Sequence, residues 1–344
     1  MNMKIQFRFT VSAALCFGLA LAALTACDYG GSTGKKVDAG DKRTFIAGDL
    51  SFRMAYVPGG ITFPTGMTDI GVIESDDAFW IGETEVTFEL WNTVYAWATD
   101  TARGDNQYQF ANAGGRGGYY ESEYLAYDSG HETHPVTMIN WRDAMVWCNA
   151  LTEWYNTHKG TNYECVYTYD AGSGPVTVRD SRDSNAESCD GVTANADEKG
   201  FRLLAGKEWE LAARYISDDD GDGDITGSGE YYPYNHASGA DAAYGETAGA
   251  TDYDGDGDTQ YTSDVSVYSF SSTADAASKA ANALGLYDMS GNVGEWCFDL
   301  SGSLRLFRVG SWIDAAENMQ LGNSGLNSPG DESTGMGLRV GKSQ

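Results

Sequence analysis

Helical periodicity surfaces only three times in this chain and stops near residue 215. Thr87 reads as an N-cap ahead of Leu90, Trp91, Val94, Tyr95 and Ala98, which fall on one helical stripe. Asn140 reads as a second cap, followed by Ala144, Met145, Cys148, Leu151 and Tyr155 at three- and four-residue spacing. A third helix is expected over roughly Lys207 to Tyr215, with Trp209, Ala212 and Ala213 inward. Elsewhere the apolar pieces are short. Phe52–Val57 alternates and meets Pro58-Gly59-Gly60, a strand ending in a turn, and Phe79–Val86 is another strand. Residues 101–130 read as a long Gly-rich loop and 162–202 as strands and turns. From 218 to 344 the chain is Gly, Asp, Ser and Asn punctuated by short apolar segments. Few helices among many short strands and long loops give an α+β domain. No internal repeat or boundary interrupts it after residue 44.

Residues 1–26 have a basic start (Lys4, Arg8) and an apolar run from Val11 to Leu24, the pattern of a secretory signal. Leu24-Thr25-Ala26-Cys27 resembles a bacterial lipobox, with Cys27 as the lipidated residue; the alternative is an ordinary signal peptide with a chance cysteine. Gly, Ser and charge after Cys27 make residues 27–44 a flexible tether, leaving 45–344 as one domain. The expected location is a membrane-anchored lipoprotein at the outer membrane or cell surface, although Asp28 favours inner-membrane retention in some bacteria.

Without the leader, 20 basic residues face 50 acidic ones, a net of −30. Such a surface repels phosphate backbones and excludes nucleic acid as a partner; cations are its natural counter-charge. Export frames the cysteines. Cys148, Cys165, Cys189 and Cys297 remain, three pairings are possible, and the strand-like stretch between Cys165 and Cys189 favours that pair. Cys148 and Cys297 are expected as buried thiols.

Four segments resemble the formylglycine-generating-enzyme (sulfatase-modifying factor) family: Phe79–Thr87 (FWIGETEVT), His134–Leu151 (HPVTMINWRDAMVWCNAL), Gly200–Arg214 (GFRLLAGKEWELAAR) and Leu284–Asp299 (LGLYDMSGNVGEWCFD). Arg308–Trp312 (RVGSW) and Gly337-Leu338-Arg339 complete the order. The resemblance spans about residues 50–342 and implies a variant of the C-type lectin fold. The family's oxidases use a cysteine pair that binds copper through soft thiolates. The matching positions here are Asp314 and Met319, and no cysteine follows Cys297. The family's sulfoxide synthases hold iron with histidines of an added helical domain. This chain has only His131, His134, His158 and His236, and no such domain. Neither copper nor iron is expected, and the chain reads as non-enzymatic. The alternative is a formylglycine-generating-enzyme-like oxidase, or a related enzyme, with an altered active site.

The last stretch resembles retroelement-diversified surface lipoproteins of the treponemal variable protein type, which place a variable region here. Gly310, Ser311, Trp312, Pro329, Gly337 and Arg339 would be the constant frame. Ile313, Asp314, Leu321, Gly322, Asn323, Ser324, Leu326, Asn327 and Asp331 would be the binding face. The expected ligand is extracellular, a protein. The alternative is an ordinary Asn-, Ser- and Gly-rich surface loop.

Two acidic runs suggest structural calcium. Asp218, Asp220, Asp222 and Asp224 form the front half of an EF-hand-like loop, with Gly223 at the sixth position and Glu230 one residue late for the anchor. Asp252, Asp254, Asp256 and Asp258 repeat that half without an anchor. The family resemblance implies a third site, using the side chains of Asp288 and Glu295 and the backbone of Gly291 and Val293.

Overall fold

The three helices read from periodicity form where their caps place them. A computed structural model describes residues 36–119, 130–195, 197–248, 252, 255, 257–308 and 310–344. Thr87 Oγ1 accepts from Leu90 N at 3.3 Å and starts α1 (Phe88–Ala98). Asn140 and Asp143 cap reciprocally at the start of α2 (Trp141–Lys159), and left-handed Gly160 ends it. A short α3 (Ala186–Asp190) follows. Glu208 Oε2 accepts from Ala205 N at 2.8 Å to open α4 (Gly206–Arg214), and α5 (Thr262–Val265) is a single turn.

The strands run in chain order as β1 (Lys42–Ala47), β2 (Leu50–Val57), β3 (Ile61–Thr65), β4 (Gly71–Ser75), β5 (Phe79–Gly82), β6 (Gly115–Arg116), β7 (Val136–Thr137) and β8 (Tyr167–Asp170). Then come β9 (Pro175–Thr177), β10 (Thr193–Ala194), β11 (Phe201–Leu203), β12 (Gly294–Ser301), β13 (Leu304–Arg308), β14 (Ser324–Asn327), β15 (Met336–Gly337) and β16 (Val340–Ser343). One sheet has the order β1-β2-β5-β16-β11, so the last strand inserts between the fifth and the eleventh. A second has the order β14-β13-β12-β15, antiparallel except for β12 with β15. The architecture is α+β, as expected.

Helix α2 packs against both sheets, so it is buried on more than the one stripe legible in sequence. Phe45, Tyr155 and Phe201 meet edge to face with centroids 5.4–5.7 Å apart, joining β1, α2 and β11. Trp141 Nε1 donates to Cys297 O at 2.9 Å and Trp296 Nε1 to Ile139 O at 3.3 Å, locking the start of α2 to β12. Each large side chain buried this way contributes about 1.5–3 kcal/mol.

Two expectations are corrected. The fold begins before residue 45: Val37 packs on the core and β1 opens at Lys42. Lys42 Nζ donates to Leu284 O at 2.9 Å and Gly285 O at 2.6 Å, so a charge that reads as tether is a crosslink. Cys165 and Cys189 are free thiols. The chain between them folds into the β8–β9 hairpin and returns, setting Cys165 Sγ 3.6 Å from Asn149 O and Cys189 Sγ 3.1 Å from Asp180 O. Burial pushes both thiols up to about 12. Cys148 and Cys297 are free and fully buried, as expected. The leader and the first half of the tether, Cys27 included, lie outside the described residues.

Candidate functional site

The site is built on a buried tryptophan. Trp312 N donates to Asn292 O at 2.8 Å, its Nε1 donates to Thr334 O at 3.0 Å, and its carbonyl accepts from Phe270 N at 2.8 Å. The first two bonds tie both ends of the 313–335 segment to the Gly291-Asn292-Val293 turn through Trp312, and the third fixes Trp312 to Phe270. Asp314 Oδ2 accepts from Ser311 N at 3.0 Å and Ser311 Oγ at 2.6 Å, closing the turn that leaves the frame. Gly310 has φ 111°, and a Cβ there would sit 3.1 Å from Asn318 O. The six frame residues Gly310, Ser311, Trp312, Pro329, Gly337 and Arg339 are all buried.

Between them opens a cavity of about 440 Å³ beside β13 and β14. Ile313, Asp314, Asn323, Ser324 and Asn327 line it together. Leu326, on the edge strand β14, is 46% exposed, and Asp331 sits on an exposed turn; neither lines the cavity. Leu321 and Gly322 do not belong to an exposed face. Leu321 is 1% exposed in the apolar cluster with Phe63, Tyr232 and Met289. Gly322 is packed where a Cβ would meet Gly66 O at 2.5 Å. Sequence reasoning missed Phe307, Asn318 and Ser333, which also line the cavity. Asn318 and Ser333 lie inside the polar stretch and share its composition; Phe307 precedes it on a strand and gave no signal.

At the positions that match the family's copper-binding cysteines, Asp314 holds Ser311 through Oδ2, and Met319 is 1% exposed beside Ala237, Ala240 and Val265. The remaining thiol of this half, Cys297, is fully buried, and burial pushes its pKa well up. A thiol held in its neutral form is a poor nucleophile and metal ligand.

The acidic runs divide. Carboxylate oxygens of Asp218, Asp220 and Asp222 lie within 4.8 Å of one another, a group that could hold a metal ion. Asp218 Oδ1 is buried and has no hydrogen-bond partner. Asp224 is not part of the group: its Oδ1 accepts from Thr226 N at 2.8 Å. Glu230 is likewise turned onto Gly227 N at 2.6 Å. Ile225 is fully buried and its N donates to Thr62 O at 2.9 Å, anchoring the loop on β3. In the second run Asp252 accepts from Gly255 N and Gly257 N. Asp254 and Asp256 lie outside the described residues.

The third expected site needs a correction in its ligands. Glu295 has both oxygens engaged, by Arg339 at 2.8–3.2 Å and by Trp209 Nε1 at 2.6 Å. Asp288 instead keeps Oδ1 buried without a partner, while Oδ2 accepts from Ala277 N at 2.7 Å. Burial pushes the Asp288 carboxyl up to about 6. Glu85, fully buried, holds Asn292 Nδ2 at 2.8 Å and Val293 N at 2.9 Å, and desolvation followed by Asp288 and Glu295 raises it well above its ordinary value. Three buried carboxylates thus face the Arg339 guanidinium. A divalent cation at Asp288 fits both the orphaned oxygen and the surplus negative charge.

This Gly-Asn-Val-Gly-Glu-Trp turn, with its Glu clamped by an arginine between the last two strands, lies inside a match to the sulfatase-modifying factor enzyme 1-like domain over residues 53–344. The chain belongs to that family. Its fold is the C-type-lectin-like variant found there. A curated relative, the chaperone protein LppX of Paenibacillus barcinonensis, is 28% identical over 336 residues, covering 94% of this chain and 96% of its own. Among solved structures, Treponema denticola variable protein 1 is 25% identical with a TM-score of 0.58, over 88% of this chain and 99% of that one. The protein CarF is 25% identical with a TM-score of 0.61, over 85% and 98%. The similarity therefore extends to a variable protein as well as to the family named for its enzyme. Among the described residues no helix is long and apolar enough to cross a membrane.

Proposed function

We propose that this family member is a non-enzymatic, lipid-anchored surface protein. It displays a variable ligand-binding site between residues 313 and 335. One observation carries the proposal. Five residues expected to vary line a single open cavity, while the frame residues around them are buried. A rigid scaffold under an exposed polar face permits substitution without unfolding. The likeness to Treponema denticola variable protein 1 supports the same reading. So does the absence of a thiolate pair, since Asp314 and Met319 stand where the family's oxidases have cysteines. Lipid at Cys27 supplies the anchor, and calcium at Asp218, Asp220 and Asp222 and beside Asp288 secures long loops that have few apolar contacts.

The test is a copper-supplemented assay with a sulfatase peptide carrying the substrate cysteine, read by mass spectrometry for the aldehyde product. The peptide is expected to remain unchanged. Copper-dependent turnover would overturn the proposal in favour of an oxidase with altered chemistry.

A further inference from the structure

The cavity at 313–335 is deficient in positive charge on every side that its own segment supplies. From Gly310 to Leu338 there is no Lys or Arg, but there are four acids, Asp314, Glu317, Asp331 and Glu332. Glu317, Asp331 and Glu332 are exposed and flank the lining residues Asn318 and Ser333 in the chain. The arginines of the adjoining strand do not compensate them. Arg308 is buried against Gly206 O at 2.6 Å and Glu210 Oε2 at 2.9 Å. Arg305 is turned away onto Phe298 O and Asp190 O at 3.1 and 3.2 Å, with its guanidinium over the Trp141 ring.

Two lining side chains keep a free acceptor, one of them a carboxylate. Asp314 uses Oδ2 on Ser311, which leaves Oδ1 for a ligand. Asn323 donates its Nδ2 to Glu317 O at 3.1 Å, which leaves its carbonyl oxygen. Asn327 Oδ1 is already engaged by Ser328 N at 2.9 Å, so Asn327 is not one of the free acceptors. Phe307, Ile313 and Met336 supply an apolar, partly aromatic wall. An acceptor-lined cavity with such a wall suits a side chain with an aliphatic stem and a cationic head.

We infer that this site takes a basic segment of a protein partner and seats a guanidinium or ammonium side chain in the cavity. The inference rests on the binding function proposed above and names its ligand class. Acids on the rim steer the partner, and the cavity fixes the contact.

The probes are three fluorescein-labelled peptides of equal length, one Arg-rich, one Glu-rich and one neutral with Leu and Ser. They are titrated against the full chain and two variants. Ser324→Trp fills the cavity from an exposed position. Glu317→Gln/Asp331→Asn/Glu332→Gln removes the rim charge. Both should keep the wild-type melting curve. The expected result is binding of the Arg-rich peptide alone, lost with Ser324→Trp and weakened about fivefold in the charge variant. Arg-rich binding that survives Ser324→Trp would assign it to the bulk negative surface and overturn the inference. Binding of the neutral or Glu-rich peptide that Ser324→Trp abolishes would sink the ligand class and leave the binding site standing. No binding of any peptide would contradict both.

Discussion

Arg339 grips Glu295 through three contacts, Nη2–Oε1 at 2.8 Å, Nε–Oε1 at 3.0 Å and Nε–Oε2 at 3.2 Å, with both side chains buried. The same guanidinium donates to Gly82 O at 3.0 Å and Tyr287 O at 2.8 Å. It therefore pins the central sheet, the approach to the Gly-Asn-Val turn and the C-terminal strands at one point. Arg339→Met removes the cation that the buried carboxylates face. The expected loss is about 3–5 kcal/mol in urea unfolding, because an uncompensated charge is left inside. A loss under about 1 kcal/mol would show that the cluster does not hold the fold.

Asp288 gives this cluster a pH dependence. It titrates at about 6 in the fold against an ordinary 3.8, so between those values the folded chain binds more protons than the unfolded one. The contribution is fully present below about pH 4 and is lost as pH rises through about 6, an amplitude of about 3 kcal/mol. Subtracting the stability curve of Asp288→Asn from the wild type's, without calcium, should show that fall. A flat difference between pH 4 and 6 would remove Asp288 from the account.

Calcium should reverse that penalty. With calcium at about a hundred times its dissociation constant the fold gains about 2.7 kcal/mol per site, so the melting temperature should rise and then fall on adding chelator. Asp218→Asn and Asp288→Asn should each remove part of the rise. Identical melting curves with and without chelator would count against structural ions.

The frame and the face should separate in stability measurements. Leu321→Ala opens the apolar cluster and is expected to cost about 2–5 kcal/mol. Ile313→Ser and Asn323→Ser, on the exposed or half-exposed face, should stay within about 0.5 kcal/mol. Equal losses at all three would show that the segment is one packed unit with no face free to vary.

Cys27→Ser should abolish incorporation of labelled fatty acid and release the protein from membranes. Continued labelling would place the anchor elsewhere.

Much of this was legible in sequence where local chemistry decides the outcome. Thr87 and Asn140 started helices because a side-chain acceptor at the cap needs no tertiary help. Ile313, Asn323 and Ser324 read as a face because their stretch is polar between buried aromatic and glycine anchors. Leu321 and Gly322 were misplaced for the opposite reason. Their roles depend on Met289 and on the Gly66 turn, both remote in sequence. Glu295 looked like a metal ligand until Arg339 was brought to it across 44 residues. Lys42 read as tether because its partners lie more than 240 residues away.

The most direct test of a variable face on a constant frame is to sequence the 3′ end of the gene in many isolates. Changes should gather at Ile313, Asp314, Asn323, Ser324, Leu326 and Asn327, with Ser311, Trp312, Leu321, Gly322 and Arg339 unchanged. Changes at Leu321 and Gly322 as frequent as those at Ile313, or no changes anywhere in the segment, would contradict it.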